Sequence, residues 1–213
     1  MHALVVVSHP DPKSLTHAVA QAFAEGVAHS GEHTAEIADI DAERFQPAFS
    51  QADRSAYLLQ EPLPSDIVRE QARIDRADAL TLVYPVYWWS FPGQLKGWID
   101  RVFSNGWAYD ERPDGSLGKR LGHLDVHLVG IGGADGGTYA RHGYDHAMRT
   151  QIDHGIFDFC GARVVTSELL LGVNAQGGKE HLAAARALGG GAFANRPAQH
   201  VPAPHRSDKL VQN

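Results

Sequence analysis

The sequence predicts an α/β domain in which a doubly wound, five-stranded parallel sheet is covered by helices on both faces. Two observations support this prediction. Short apolar runs recur along the chain, and segments with one apolar helical face separate them. Strands that alternate with helices form parallel sheets, because each helix returns the chain to the same edge of the sheet. With 213 residues, the chain has the size of one such domain.

The predicted elements follow from the period of the apolar residues. Buried parallel strands appear as continuous apolar runs, and here they are expected at residues 3–7, 34–38, 79–84, 124–131 and 163–170. Helices carry one apolar stripe, and they are expected at residues 14–28, 65–77, 92–103, 144–160 and 179–188. Two glycine-rich segments are predicted to lack regular structure, and they span residues 105–122 and 132–137.

The domain is expected to span residues 1–192. The remaining residues, 193–213, are rich in proline, histidine and arginine, and they have little apolar surface to bury. Such a tail is disordered by itself. We therefore expect a second copy of the chain to order it. Neither an internal repeat nor a linker indicates a second domain.

Composition argues against several classes of function. The net charge is −6 and there is no long run of lysine or arginine, which makes nucleic acid an improbable partner. No apolar stretch approaches the roughly 20 residues of a membrane span, and the first residues do not resemble a signal peptide. The single cysteine, Cys160, rules out a disulfide within the chain and fits a reducing compartment. A cytoplasmic location is therefore expected.

Residues 84–109 contain the densest group of aromatic residues in the chain. The third predicted strand ends at Pro85, and Tyr87, Trp88 and Trp89 follow before the next helix begins. Open parallel sheets bind ligands beyond the carboxyl ends of their strands, so these side chains could line the site of a flat ligand. Packing in the core or between subunits is the alternative, because tryptophan and tyrosine bury large areas wherever they lie.

The loop after the first predicted strand, residues 8–16, is a candidate phosphate site. The first N–H groups of a helix are unpaired and attract anions. The side chains of His9, Lys13, Ser14 and Thr16 can add further donors. The alternative is that Ser14 only caps the helix. Residue type does not separate the two interpretations, since capping and phosphate binding use the same N–H groups.

A glycine-dense stretch, residues 130–137, follows the fourth predicted strand. It does not match the dinucleotide fingerprint, because Asp135 stands where the third glycine is needed. Glycines allow the backbone to approach a flat ring closely, although a plain flexible loop is the alternative. Titratable side chains that could pass protons come next, and they are Tyr139, His142, Tyr144, Asp145 and His146. The two histidines have the spacing of a metal pair without a clear third ligand, so no metal is predicted.

Together these segments resemble the flavodoxin-like NAD(P)H:quinone oxidoreductases, the DT-diaphorase-like family. The similarity runs over residues 3–170 and is strongest from Pro85 to Tyr109. There the chain follows the pattern P-x-x-W-[FW]-x-x-P-x-x-L-K-G-W-[FI]-[DE]-R-V-F-x-x-G-[FW]-A-Y. Shorter matches are the loop with His9, Ser14, Leu15 and Thr16, the segment from Asp39 to Pro47, and Phe159-Cys160-Gly161.

The resemblance implies strand order 2-1-3-4-5, a bound flavin, NAD(P)H as co-substrate, a quinone or similar electrophile as acceptor, and a homodimer. FAD is favoured over FMN, and the choice between NADH and NADPH is open. The implied phosphate ligands are His9, Ser14, Leu15 and Thr16. The isoalloxazine would be lined by Pro85, Val86, Tyr87, Trp88 and Trp89, with Gly132 and Gly133 at its pyrimidine edge.

The resemblance also implies a group of proton-handling residues. Tyr139 matches a tyrosine that assists proton movement in DT-diaphorase, and Asp145 stands where that enzyme has a histidine, with His142 nearby. Tyr144 matches a second tyrosine of bacterial relatives. The implied activity is two-electron, ping-pong transfer of hydride from NAD(P)H through the flavin to a quinone.

Two other functions compete with this interpretation. One is a regulatory flavoprotein subunit that binds an ion-efflux system or another partner. The other is a zinc-dependent N-acetylsugar deacetylase, because the residues from Val7 to Asp11 resemble the start of that family, whose first loop reads His-Pro-Asp-Asp-Glu. Here Pro12 and Lys13 replace the last two residues of that motif, which removes a metal ligand and the general base.

Overall fold

The structure is a computed structural model, and it describes residues 1–112, 114–172 and 177–194. The strands are β1 (His2–Val7), β2 (Thr34–Asp39), β3 (Ala79–Pro85), β4 (Tyr109–Glu111), β5 (Leu117–Lys119), β6 (Asp125–Gly132) and β7 (Arg163–Leu171). The helices are α1 (Leu15–Ala28), α2 (Gln51–Tyr57), α3 (Ser65–Asp75), α4 (Gly93–Val102), α5 (Gly136–His142), α6 (Tyr144–Met148) and α7 (Gly177–Gly190). A π-helical segment, Arg149–Asp158, continues α6.

Five strands form one parallel sheet in the order β2-β1-β3-β6-β7. The predicted order 2-1-3-4-5 is confirmed, with β6 and β7 as the fourth and fifth strands. The two short strands β4 and β5 form a separate antiparallel ribbon inside the predicted irregular segment 105–122.

The sheet separates two apolar cores because successive side chains of a strand point to opposite faces. On β1, Leu4 and Val6 belong to one core, together with residues of α3, α4 and the π-helical segment. Val5 and Val7 belong to the other core, together with residues of α1 and α7. The continuous apolar run of β1 is therefore buried on both faces, as the prediction of a parallel strand requires.

Helices α1 and α7 approach each other so closely that two glycines are needed at their contact. A Cβ atom added to Gly189 would lie 2.0 Å from the carbonyl oxygen of Phe23. One added to Gly26 would lie 2.2 Å from the carbonyl oxygen of Arg186. The backbones of the two helices are thus in direct contact, which fixes the position of α7 on the sheet.

Three elements differ from the sequence prediction. Helix α5 begins inside the segment 132–137 that the glycine content indicated as a loop, and Asp135 caps it by accepting a 2.7 Å hydrogen bond from the Thr138 N–H. Helix α2 begins with a capping box in which Ser50 and Asp53 each accept from the other's backbone N–H. The β4–β5 ribbon is the third difference.

The described chain ends just beyond α7. Phe193 is buried and its ring meets that of His33 edge-on, 4.9 Å between centroids. The expectation that a second subunit orders the tail concerns residues 195–213, which lie outside the described residues. Among the helices described, none combines the length and the apolar character needed to cross a bilayer.

Candidate active site

The predicted site segments come together at one edge of the sheet. They follow the carboxyl ends of β1, β3 and β6, which are neighbours in the sheet and run in the same direction. The three connecting segments are residues 8–14, 86–92 and 133–135. Ligands of open α/β sheets bind in this position.

The segment after β3 is a tight turn built from two tryptophans. Tyr87 and Ser90 exchange backbone hydrogen bonds of 3.1 and 3.0 Å. Between them, Trp88 has φ 49° and Trp89 has φ 58°. Two consecutive positive φ values are typical of a type I′ turn, which normally takes asparagine or glycine. Bulky residues in this region cost on the order of 1–3 kcal/mol each, a strain often found at functional sites.

The two tryptophans have different surroundings. The side chain of Trp88 is 92% exposed, so it contributes little to the apolar core. Trp89 is half-buried, and its ring stacks on Tyr144 with 3.6 Å between centroids and 12° between planes. The interpretation as core packing therefore does not hold for Trp88, whereas Trp98 on α4 is fully buried.

Three of the predicted proton-handling residues lie around Trp89. The Tyr139 ring meets Trp89 edge-on at 5.2 Å, and His142 stacks on Tyr144 at 5.2 Å. Tyr139 is almost completely buried. Burial raises the pKa of the Tyr139 hydroxyl, which favours the protonated phenol, and its O–H can donate a hydrogen bond.

Asp145 takes a different position. It lines a cavity of about 200 Å³ together with Tyr84 and Asp153. The structure therefore brings together Tyr139, Tyr144 and His142 beside the aromatic turn, while Asp145 faces a neighbouring space. Tyr84 and Asp153 were not among the residues predicted from the sequence.

The end of β6 offers open backbone beside Tyr139. A Cβ atom added to Gly132 would lie 2.7 Å from the Tyr139 Oη, so a side chain at that position would displace the tyrosine. A Cβ added to Gly133 would meet nothing within 4 Å. This combination of open backbone, an exposed indole and a buried phenol fits the edge of a flat, polar ring system.

The loop after β1 is organised by a chain of hydrogen bonds. Ser14 caps α1 by accepting from the His17 N–H, and its Oγ also lies 2.9 Å from the His17 Nδ1. The His17 Nε2 lies 2.8 Å from the Asp39 Oδ2 at the end of β2. The capping alternative for Ser14 is therefore realised. His17 and Asp39 were missed as functional candidates, although the spacing of three residues between Ser14 and His17 is visible in the sequence.

The other predicted phosphate ligands lie around the same helix start. The His9 Nδ1 accepts a 3.0 Å hydrogen bond from the Asp11 N–H, and the His9 ring meets His17 edge-on. Thr16 is buried and Leu15 is half-buried. Ser14 and the N-terminal N–H groups of α1 thus point toward the same edge as the aromatic turn, and they fit an anionic group.

Metal ligands are not grouped in the part of the chain that the structure describes. There, no three histidine, cysteine, aspartate or glutamate side chains lie close enough together to hold a metal ion. The histidine pair considered from the sequence includes His142, which instead stacks on Tyr144.

The sheet order and the position of the site define a doubly wound α/β protein with its candidate site at the carboxyl edge of the sheet. Residues 1–188 match the model of the family Flavodoxin_2, described as a flavodoxin-like fold, and the chain belongs to this family. The fold class predicted from the sequence is thereby confirmed.

Individual relatives agree with this assignment. NAD(P)H dehydrogenase [quinone] 1 of Cavia porcellus is 29% identical over 189 residues, which cover 80% of this chain and 68% of that protein. An NAD(P)H oxidoreductase of Haemophilus influenzae is 30% identical over 174 residues, 79% of this chain and 83% of that protein. The structure of an NAD(P)H:quinone oxidoreductase from Methanothermobacter marburgensis superposes with a TM-score of 0.82 at 32% identity, covering 89% of this chain and 98% of that one. The predicted resemblance is confirmed.

Proposed function

We propose that the chain is a flavin-dependent NAD(P)H:quinone oxidoreductase. The observation that carries this proposal is the strained turn of Trp88 and Trp89 beside the open backbone at Gly133. Trp88 contributes little to the core, because its side chain is 92% exposed at the carboxyl end of a central strand, where it offers an aromatic surface to a ligand. The names of the relatives support the same activity.

The residues at the sheet edge form two groups, one that would bind the cofactor phosphate and one that would contact its ring system. The phosphate of the cofactor would bind at the start of α1, with the ligands His9, Ser14, Leu15 and Thr16. The ring system would lie against Pro85, Val86, Tyr87, Trp88 and Trp89, with its pyrimidine edge at Gly132 and Gly133. A bound flavin supplies hydride transfer between NAD(P)H and the quinone.

The protein orients the reactants and handles protons. The stacked rings of Trp89 and Tyr144 would form an apolar wall that excludes water, and NAD(P)H and the quinone would use the slot beside it in turn. One slot used twice implies ping-pong kinetics. Tyr139 holds its proton at the wall of that slot and would donate to the quinone oxygen, with His142 and Tyr144 as neighbours and Asp145 at the adjoining cavity.

The cofactor is proposed to be FAD. FAD carries an adenosine group that FMN lacks, and the β4–β5 ribbon and a partner subunit would offer surface for that group. Release of the cofactor by heat, followed by mass analysis, distinguishes the two: a mass of FMN contradicts this part of the proposal. Steady-state rates with NADH and NADPH settle which nicotinamide is used.

A homodimer is proposed from an exposed apolar surface. A groove of about 540 Å³ lies between α2, α4 and the π-helical segment. Phe49, Tyr57 and Phe159 line it, and each has more than a third of its surface exposed. Apolar groups grouped in this way mark an interaction site. We propose that a second copy of the chain covers this surface.

Turnover with NAD(P)H and a simple benzoquinone tests the proposed activity. We expect NAD(P)H oxidation that depends on the quinone and shows parallel lines in double-reciprocal plots. A flavin-loaded protein with negligible turnover contradicts the proposal and favours a regulatory flavoprotein subunit. A preparation that contains zinc and no flavin favours the deacetylase alternative.

A further inference from the structure

A cavity beside the candidate active site is lined by Asp145 and by further titratable groups, among them Tyr84 and Asp153, that the proposed mechanism does not use. Its volume is about 200 Å³. Because about 10–15 Å³ of such volume holds one water molecule, it has room for several. Its polar lining consists of Tyr84, Asp145, Arg149, Asp153, Ser167 and Glu168.

Asp153 is the half-buried carboxyl group of this cavity. Its Oδ1 accepts a 3.2 Å hydrogen bond from the Ser167 Oγ on β7. Burial raises the pKa of Asp153, and this effect outweighs the opposing influence of the Ser167 hydrogen bond and of Arg149. The side chain therefore keeps its proton at a higher pH than an ordinary aspartate, as a proton donor for catalysis must.

Tyr84 lies between this cavity and the aromatic turn. It is the residue of β3 that precedes Pro85, and it is 2% exposed. A Cβ added to Gly130 would lie 3.4 Å from the Tyr84 ring, and one added to Gly132 would touch the Tyr139 hydroxyl. Residues two apart on a strand point to the same face, so both tyrosine rings lie over the same face of β6. Tyr84 thus lines the cavity and neighbours Tyr139.

We propose that Asp153 is an internal proton donor for quinone reduction, and that the hydroxyls of Tyr84 and Tyr139, with water in the cavity, carry its proton to the substrate. The inference rests on the proposed function. A bound flavin would supply a hydride to the quinone and this path would supply one proton, which together yield the hydroquinone. The O–H bond of Asp153 breaks, each hydroxyl passes on its own proton, and Tyr139 donates to the quinone oxygen.

Reprotonation of Asp153 completes the cycle. The groups that face the carboxyl are Arg149 on its own segment, Ser167 and Glu168 on β7, Asp145 on α6, and Tyr84 on β3. Arg149 and Glu168 lie at exposed positions, so they give the cavity contact with solvent. A proton from solvent water returns to Asp153 past these two exposed residues. Each turnover therefore takes up one proton from solvent.

The first test uses the flavin-free chain and requires no turnover. Aspartate carboxyl groups labelled with ¹³C are titrated by NMR in the wild type, in Asp153→Asn and in the control Asp158→Asn. Asp158 lies at the exposed end of the same segment and pairs with Lys119. We expect one carboxyl that titrates above the normal range of aspartate, absent in Asp153→Asn and present in the control. An Asp153 signal that titrates in the normal range overturns the inference.

The second test uses the flavin-loaded protein in rapid mixing. We expect Asp153→Asn to leave flavin reduction by NAD(P)H unchanged and to slow the quinone step on the order of 100-fold, the low end of the range for a positioned proton donor. The quinone step of the wild type should depend on pH, and this dependence should be absent in Asp153→Asn. Tyr84→Phe, which keeps the ring against Phe91, should give the same result if Asp153→Asn does not fold.

The outcomes separate this inference from the proposed function. A wild type that takes up no flavin or reduces no quinone contradicts the proposed function. In a second outcome, the wild type is fully active while Asp153→Asn and Tyr84→Phe reduce the quinone at the same rate as the Asp158→Asn control. This result contradicts the proton path but not the proposed function. Equal slowing of both half-reactions also overturns the path, because it indicates a purely structural role.

Discussion

At the scale of single residues, the turn of Trp88 and Trp89 shows a conflict between stability and function. Tryptophan is among the residues least suited to positive φ, and Trp88 gains almost nothing from burial. Stability alone would favour asparagine or glycine at Trp88, whereas Trp89 also packs against the core. The presence of two indoles is explained if they contact a ligand, since strain of this kind persists where binding needs it.

Replacement of Trp88 by asparagine separates the cost of backbone strain from the gain in ligand binding. We expect Trp88→Asn to stabilise the flavin-free chain by about 1 kcal/mol, because asparagine tolerates the left-handed conformation. The same variant should retain flavin less well, because one side of the ring site is lost. Chemical denaturation and flavin titration measure these quantities. Tyr87→Asn is the control for the stability measurement alone, because the φ of Tyr87 is not positive. A loss of stability in Trp88→Asn contradicts the strain argument.

Tyr139 has a chemical role in this account, and its hydroxyl can be removed without loss of the ring. We expect Tyr139→Phe to bind flavin as the wild type does and to be reduced by NAD(P)H, but to reduce the quinone on the order of 100-fold more slowly. Rapid mixing resolves the two steps. Tyr57→Phe on α2 is the control. Loss of flavin from Tyr139→Phe would assign this residue a structural role instead.

At the scale of elements, the sequence predicts the strands well because their burial on both faces leaves continuous apolar runs. It does not predict α5, whose glycines have low helix propensity and whose start depends on the Asp135 cap. Helix α2, Gln51–Tyr57, is too short to display an apolar stripe. Both depend on local hydrogen bonds that periodicity does not detect.

In the candidate site too, the sequence predicts some features and not others. The positions of its three segments follow from the order of strands along the chain. The positive φ values at Trp88 and Trp89, the link from Ser14 through His17 to Asp39, and the cavity beside Asp153 depend on contacts between distant segments. Such contacts are set by the packing of helices on the sheet, so the sequence alone does not predict them.

The contact of α1 with α7 gives a prediction about an element. We expect Gly189→Ala to destabilise the chain by about 1–3 kcal/mol, because the new methyl group overlaps the backbone of α1 and the helices must separate. Gly178→Ala in the same helix is the control, since its Cβ meets nothing within 4 Å. It should be neutral or slightly stabilising. Denaturant unfolding measures both, and equal stability of the two variants contradicts the close packing described here.

At the scale of the whole molecule, an exposed apolar groove supports the proposed homodimer. The groove that contains Phe49, Tyr57 and Phe159 lies on the helical face that includes α2 and α4. Next to it, Leu58 and Leu59 are also exposed. Proteins that act as monomers rarely expose grouped apolar side chains of this size. A dimer formed through this face would shield them.

Charge placed in the groove should weaken the dimer. We expect Phe49→Asp to raise the dimer dissociation constant at least about tenfold, which corresponds to 1.4 kcal/mol. Val68→Asp on α3 is the control, because Val68 is similarly exposed and does not line the groove. Analytical ultracentrifugation measures both. A wild type that sediments as a monomer at high concentration contradicts the proposed dimer.

The central claim is that the tryptophan turn beyond β3 holds a flavin. The most direct test is the absorbance spectrum of the protein as purified, or after incubation with FAD or FMN at micromolar concentration and removal of the excess. We predict a yellow protein with about one flavin per chain, and a marked loss of that flavin in Trp88→Ala. A colourless protein that takes up neither cofactor contradicts the account.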